Sequence, residues 1–166
     1  MLQNTKLLYV KILVLAIGKT DEQWVQEALL KYSKRLKYYL SFEFEVIPDL
    51  KNTKNLSEAQ QKEREGALIL KKLNPTDKVI LLDEKGKEYR SVEFAKHLQQ
   101  QMNSGVKRLI FIIGGPYGFS PELYVKAQGK LALSKMTFSH QMIRPYFVEQ
   151  LYRAITILKN EPYHHE

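Results

Sequence analysis

The 166-residue chain contains no cysteine. Disulfides, zinc ribbons and thiolate catalysis are thereby excluded, and a reducing cytoplasm is the expected location. It also lacks an apolar run of the roughly 20 residues that a helical membrane span requires. The nearest approach, "KLLYVKILVLAIGK", is interrupted by Lys11, and no A-x-A-like cleavage site follows it. A buried first strand over residues 10–17 explains that stretch better than a secretion signal. Nucleotide-loop signatures are missing too. In "GGPYGFSPE" the first two glycines are adjacent rather than one residue apart, and no Lys-Ser or Lys-Thr follows, so neither the dinucleotide fingerprint nor a P-loop is present. No nucleophile elbow occurs. The four histidines are not grouped with paired carboxylates, and no metal site is expected. Repeats, linkers and low-complexity tracts are absent as well.

What is present is positive charge. Lys and Arg total 26 against 18 acids, a net charge of +8, which suits a polyanion such as RNA or an anionic lipid, although basicity alone names neither. The length fits a single hydrophobic core. Four apolar runs of strand length recur: "VKILVLAIG", "FEFEVIP", "KVILLD" and "RLIFIIGG". Three are continuously hydrophobic, as strands covered on both faces should be. The second alternates Phe42, Phe44 and Val46 with Glu43 and Glu45, which predicts an edge or one-sided strand.

Helical patterns separate these runs. Residues 21–40 place Trp24, Val25, Ala28, Leu29, Tyr32, Leu36 and Tyr39 on one face. Ser57 with Gln60 forms a capping box that opens a second helix running to about Leu73. A third begins near Ser91 and stops before Gly105, a fourth opens on Ser120-Pro121, and a fifth carries Phe147, Leu151, Ile155 and Leu158. The alternation predicts an α/β fold with a mostly parallel sheet and helices on both faces.

Ligands of such sheets sit outside the carboxyl ends of the strands. Three stretches lie there. "GGPYGFSPE" has glycines that let a backbone approach a ligand, yet an ordinary strand-to-helix turn explains it equally well. "DEKGKEYRS" opens with Asp83 and Glu84, which can grip hydroxyls or a cation but alone read as a solvated turn. "SKMTFSHQMIR", residues 134–144, has no Gly or Pro but carries hydroxyls, an amide and three basic side chains, an odd composition for a plain connector. His97, within a helix, reads as structural. His164 and His165 are adjacent and make a poor chelate.

The combination of "GGPYG", "LSKMTFSHQMIR", "EQLYRA" and the closing "PYHHE", in that order, resembles the RlmH family of ribosomal RNA large-subunit methyltransferases. These are pseudouridine-specific N-methyltransferases of the SPOUT superfamily. The likeness runs from Val10 to the end, so residues 1–9 are expected to be an N-terminal extension, with Val10 marking an alternative start, and residues 10–166 a single domain. The resemblance implies a deep trefoil knot in the C-terminal part, an exception to the rule that chains are unknotted. It implies S-adenosylmethionine as cofactor, held by Leu82, Gly114, Leu133, Ser134, Lys135, Met136, Thr137 and Phe138. One departure is His165, where relatives often carry arginine or lysine.

The implied reaction is methyl transfer to N3 of a pseudouridine in large-subunit (23S) ribosomal RNA, by a cytoplasmic homodimer acting on the ribosome or large subunit without metal or membrane. An imide nitrogen must lose its proton and attack in line, so the enzyme contributes alignment and stabilisation of charge on the imide oxygens. The candidates are His140 or His164 for proton removal, Arg144 for charge stabilisation and Tyr163 for orienting the base. Arg153 contacts phosphate or forms a salt bridge along its helix. A related methyltransferase acting on transfer RNA and a non-catalytic ribosome-binding factor are the alternatives.

Overall fold

A computed structural model describes residues 10–165; the expected extension at residues 1–9 lies outside the described residues. The elements follow in the order β1 (Lys11–Ile17), α1 (Gln23–Lys37), β2 (Ser41–Ile47), α2 (Glu58–Leu70), β3 (Lys78–Lys87), α3 (Ser91–Asn103), β4 (Arg108–Ile113), α4 (Pro121–Lys126), β5 (Gly129–Leu131) and α5 (Ile143–Leu158). All strand pairs are parallel, in the order β2-β1-β4-β3-β5.

The pleat sorts each central strand between two cores, as its period of two requires. Ile12, Val14 and Ala16 of β1 join Leu109, Phe111 and Ile113 of β4 in the core that α1, α3 and α5 cover. Leu13, Leu15 and Ile17 join Ile110 and Ile112 on the opposite face, under α2 and α4. Both faces are covered, which is why these strands are hydrophobic after their charged first residues, Lys11 and Arg108. The alternating strand β2 lies at the sheet edge. Its Glu43 pairs with Lys11 on β1 and its Glu45 with Lys72, 2.6 Å away.

The helix starts obey local chemistry. Ser57 Oγ accepts from the Gln60 N–H at 3.2 Å, while Gln60 Oε1 accepts from the Ser57 N–H at 2.9 Å. Ser120 Oγ accepts from the Leu123 N–H at 3.4 Å, with Pro121 in the first turn.

Two features depart from expectation. The strand β5 is only three residues long and has no apolar run to announce it. Its partner β3 continues past "KVILLD" to Lys87 through an irregular register, because Gly86 lets the backbone of Leu131 close in; a Cβ there would stand 2.6 Å from Leu131 N. Trp24, expected on the inner face of α1, is 48% exposed. No helix among the described residues is long and apolar enough to cross a membrane.

Candidate functional site

Leaving β5 at the sheet edge, the chain returns over the carboxyl ends of the other strands to reach α5. The polar side chains of residues 134–144 are the fastenings of that crossing. At its start the Thr137 hydroxyl donates to Glu84 Oε2 on β3 at 2.8 Å. Ser134 Oγ accepts from the Met136 N–H at 2.9 Å, and Ser139 Oγ from the Met142 N–H at 3.1 Å. At its far end Gln141 Nε2 donates to Lys19 O at 2.8 Å, and its Oε1 accepts from the Asp21 N–H at 3.2 Å, just beyond β1. Where a tight turn relies on the backbone freedom of Gly or the fixed φ of Pro, hydroxyls and amides here satisfy backbone groups that an irregular segment leaves open.

Arg144 anchors the crossing. It is fully buried, and its Nε donates to His140 O at 2.8 Å, Nη1 to Thr20 Oγ1 at 2.7 Å and Nη2 to Ile17 O at 2.8 Å. Burial pulls the guanidinium below its ordinary range, opposed by Asp49 and Asp21. The two acids and three acceptors keep it a structural cation, tying the loop to the end of β1. Removing it strands three acceptors, one of them the buried Ile17 carbonyl. Arg144→Ala is therefore expected to cost about 3 kcal/mol or more of stability. A denaturant titration reads this directly, and an unchanged midpoint would contradict the anchoring role.

The crossing leaves two cavities. The first, about 730 Å³, is lined by Leu82, Gly114, Leu133, Ser134, Met136, Thr137, Phe138 and His140, with Glu58, Asp83, Glu84 and the rest of the glycine turn. The second, about 610 Å³, is lined by Tyr89, Arg90, Ser91, Tyr146, Gln150, His164 and His165. Leu131, Ala132, Leu133 and Phe138 line both. The two cavities thus adjoin at these four apolar residues. Lys135, Arg144 and Tyr163 line neither.

The glycine turn shapes the first cavity. A Cβ on Gly114 would meet the ring of Phe119 at 3.1 Å and Gly118 O at 3.4 Å, and Gly118 adopts φ 80°, the left-handed region that glycine enters without strain. On the opposite rim Asp83 is held by the Tyr124 hydroxyl, 2.5 Å away. Burial and that bond push the Tyr124 phenol up to about 12. Three carboxylates, Glu58, Asp83 and Glu84, line this cavity against one lysine, Lys85.

Residues 160–164 are pinned against α5 and the end of α1. Asn160 reverses the backbone at φ 55°, and the Tyr39 hydroxyl donates to Glu161 Oε2 at 2.5 Å. Tyr163 packs edge-on against Tyr152 at 4.7 Å, donates to Glu149 Oε1 at 2.9 Å and lies under the Arg153 guanidinium. Burial, Tyr32 and Glu149 together raise its phenol well above the usual value. Arg153 forms the helix-face salt bridge, to Glu149 at 2.6 Å, and its Nη1 lies 3.3 Å from His164 Nδ1. A guanidinium can only donate, so Nδ1 accepts in this contact and Nε2 is the nitrogen left to carry the ring proton. His97 stacks on Tyr89 at 4.9 Å within α3, and burial with Lys87 and Lys78 lowers its affinity for a proton.

The sequence reading missed Glu58 as a cavity residue, since an acid in the first turn of a helix reads as dipole chemistry. Within "DEKGKEYRS" it singled out Asp83 and Glu84 but not Tyr89 and Arg90, whose position beside the tail depends on the whole crossing. Among the described residues, no group of three or more His, Asp or Glu side chains is placed to hold a metal ion.

A family model described as "Predicted SPOUT methyltransferase" matches residues 10–164. A Flavobacterium johnsoniae protein named ribosomal RNA large subunit methyltransferase H is 63% identical over 155 residues, covering 93% of this chain and 99% of the relative. Proteins of the same name from Parabacteroides distasonis and Bacteroides thetaiotaomicron are 61% and 58% identical, each covering 94% of this chain and 99% of the relative.

Proposed function

The chain belongs to the SPOUT methyltransferase family, and from that premise we propose that it methylates N3 of a pseudouridine in large-subunit ribosomal RNA with S-adenosylmethionine as donor. Its near full-length likeness to proteins named for large-subunit ribosomal RNA methylation supports the substrate class. The observation that carries the mechanism is the pair of adjoining cavities that share the lining residues Leu131–Leu133 and Phe138. One takes the cofactor and the other the base. The trefoil knot belongs to this proposal, and the crossing from β5 over β3 and β1 to α5 is its support.

The first cavity fits the cofactor. Its volume lies in the range of small-molecule sites, about 300–1,000 Å³. Leu82, Leu133 and Phe138 offer apolar walls for adenine, and the Gly114 turn permits close backbone approach. The carboxylates Glu58, Asp83 and Glu84 suit a ligand with a cationic ammonium and sulfonium. When bound, S-adenosylmethionine supplies an electrophilic methyl group on its sulfonium.

Within the second cavity His164 presents Nε2–H, a donor suited to the negative charge an imide oxygen gathers as its nitrogen is deprotonated. That assignment leaves His140, on the rim of the first cavity, to take the imide proton. Tyr163 orients His164 through the Tyr152, Glu149 and Arg153 cluster, and Arg144 holds the backbone of His140. Tyr89 and Tyr146 line the second cavity and bring aromatic surface to a base held there. The compact chain, with Trp24, Leu30 and Tyr38 exposed on or beside α1, is proposed to act as a homodimer.

The test is transfer of labelled methyl groups onto isolated large subunits, whole ribosomes, free ribosomal RNA and transfer RNA. Label is expected on the large subunit or ribosome, with transfer falling steeply from low to moderate salt as basic side chains lose phosphate contacts. Transfer to transfer RNA, or ribosome binding without transfer, would replace this reading with one of its alternatives.

A further inference from the structure

Two adjacent residues of α2 press against the turn that follows β4, and the chemistry above uses neither. Glu65 is 4% exposed. Its Oε1 accepts from Gln61 Nε2 at 2.9 Å, whereas Oε2 has no hydrogen-bond partner. The carboxyl occupies the space a side chain on Gly115 would need: a Cβ there would run into Oε2, with Cδ 2.9 Å away. One residue along, the bareness of Gly66 admits Ser120, the cap of α4, whose Cβ would stand 3.0 Å from a Cβ on Gly66. The turn over residues 114–118 is therefore seated on α2 through Glu65, and the start of α4 that follows it through Gly66.

A carboxylate is an expensive choice for a dry contact unless it is neutral or paired. Burial and the nearby Asp49 raise the Glu65 carboxyl above the ordinary carboxylate range, and the bond from Gln61 opposes them. Asp49 follows β2 and accepts from the Lys19 N–H at 3.0 Å. Ser120 and Leu123 of α4, packed on the adjoining Gly66, carry no charge, and neither does Gly115. Nothing facing Glu65 in this set offers the cation that an ionised form would need.

We infer that neutral Glu65 is a positioning residue for the glycine turn of the cofactor cavity, holding Gly115 against α2 and making cofactor affinity fall as pH rises. The inference rests on the reading that the first cavity takes S-adenosylmethionine. The sign follows from linkage. The packed turn retains a proton that a solvated carboxyl would release, so packing is favoured at low pH and weakens as pH climbs through the raised value.

The experiment is calorimetry of the full chain with S-adenosylmethionine between about pH 5 and pH 8, with hydrogen exchange at the Gly115 and Gly118 amides of ligand-free protein over the same range. Wild-type affinity is expected to fall with rising pH. Glu65→Gln, which keeps the shape and cannot ionise, should bind within a few-fold of the low-pH wild-type value and lack the fall that wild type shows as pH rises. Glu65→Ala should bind about tenfold more weakly throughout, with turnover at saturating cofactor preserved within a few-fold. Opening of the two glycine amides should grow with pH in wild type and not in Glu65→Gln. Superimposable wild-type and Glu65→Gln profiles would overturn the inference, and this comparison decides the matter even if Glu65→Ala fails to fold. Absence of cofactor binding by wild type at every pH would instead remove the cofactor reading, leaving amide exchange to judge Glu65 by itself.

Discussion

His164→Ala is expected to lower methylation of ribosomes by about a hundredfold under single-turnover conditions, the scale of losing one positioned oxyanion donor. S-adenosylmethionine affinity should stay within a few-fold, because His164 lines the second cavity and not the first. Melting temperature should hardly move, since the imidazole is only half-buried and its hydrogen-bond contact, to Arg153, is long. Truncation before Pro162 should abolish methylation equally but is expected to destabilise the protein as well. It removes the Tyr163 ring from Tyr152 and the Tyr163 hydroxyl from Glu149. Full activity in His164→Ala would remove the tail from the chemistry. A loss of cofactor affinity equal to the loss of activity would place His164 in the wrong cavity.

Gly114→Val should produce the complementary defect. A first Cβ already meets the buried Phe119 ring at 3.1 Å and Gly118 O at 3.4 Å, so a branched side chain must push the turn outward. Overpacking of this kind costs about 1–3 kcal/mol. Because the strain falls on the wall of the first cavity, S-adenosylmethionine affinity is expected to drop by up to about a hundredfold, as calorimetry would measure. The sheet should persist, since Gly114 lies just beyond the last residue of β4. Circular dichroism like that of wild type, with unchanged affinity, would move the cofactor away from this turn.

The sheet was legible wherever one residue's environment was decided by its own strand. Central strands buried on both faces must be apolar, and β1 and β4 are after their first residues, Lys11 and Arg108. Caps are equally local, so Ser57 and Ser120 announced their helices. The strand β5 was not legible. Three residues, Gly129–Leu131, carry no period; they pair with Ile80–Leu82 of β3, and the bare backbone at Gly86 further along that strand admits Leu131.

The site divides in the same way. The cofactor candidates came through resemblance, and all but Lys135 line the first cavity. Arg144 read as an available charge because a basic loop residue ordinarily faces water. Its burial comes from Ile17 and Thr20, more than 120 residues away in sequence, and no local pattern encodes that meeting. Glu65 was equally hidden. Within "EAQQKEREGALIL" it looks like the other acids, and only the approach of the glycine turn makes it different.

The most direct measurement is nucleoside mass spectrometry of large-subunit ribosomal RNA from a strain lacking this gene. N3-methylpseudouridine is expected to be absent there, to return when the wild-type gene is supplied, and to stay absent with the His164→Ala gene. An unchanged level of that nucleoside in the deletion strain would contradict the account.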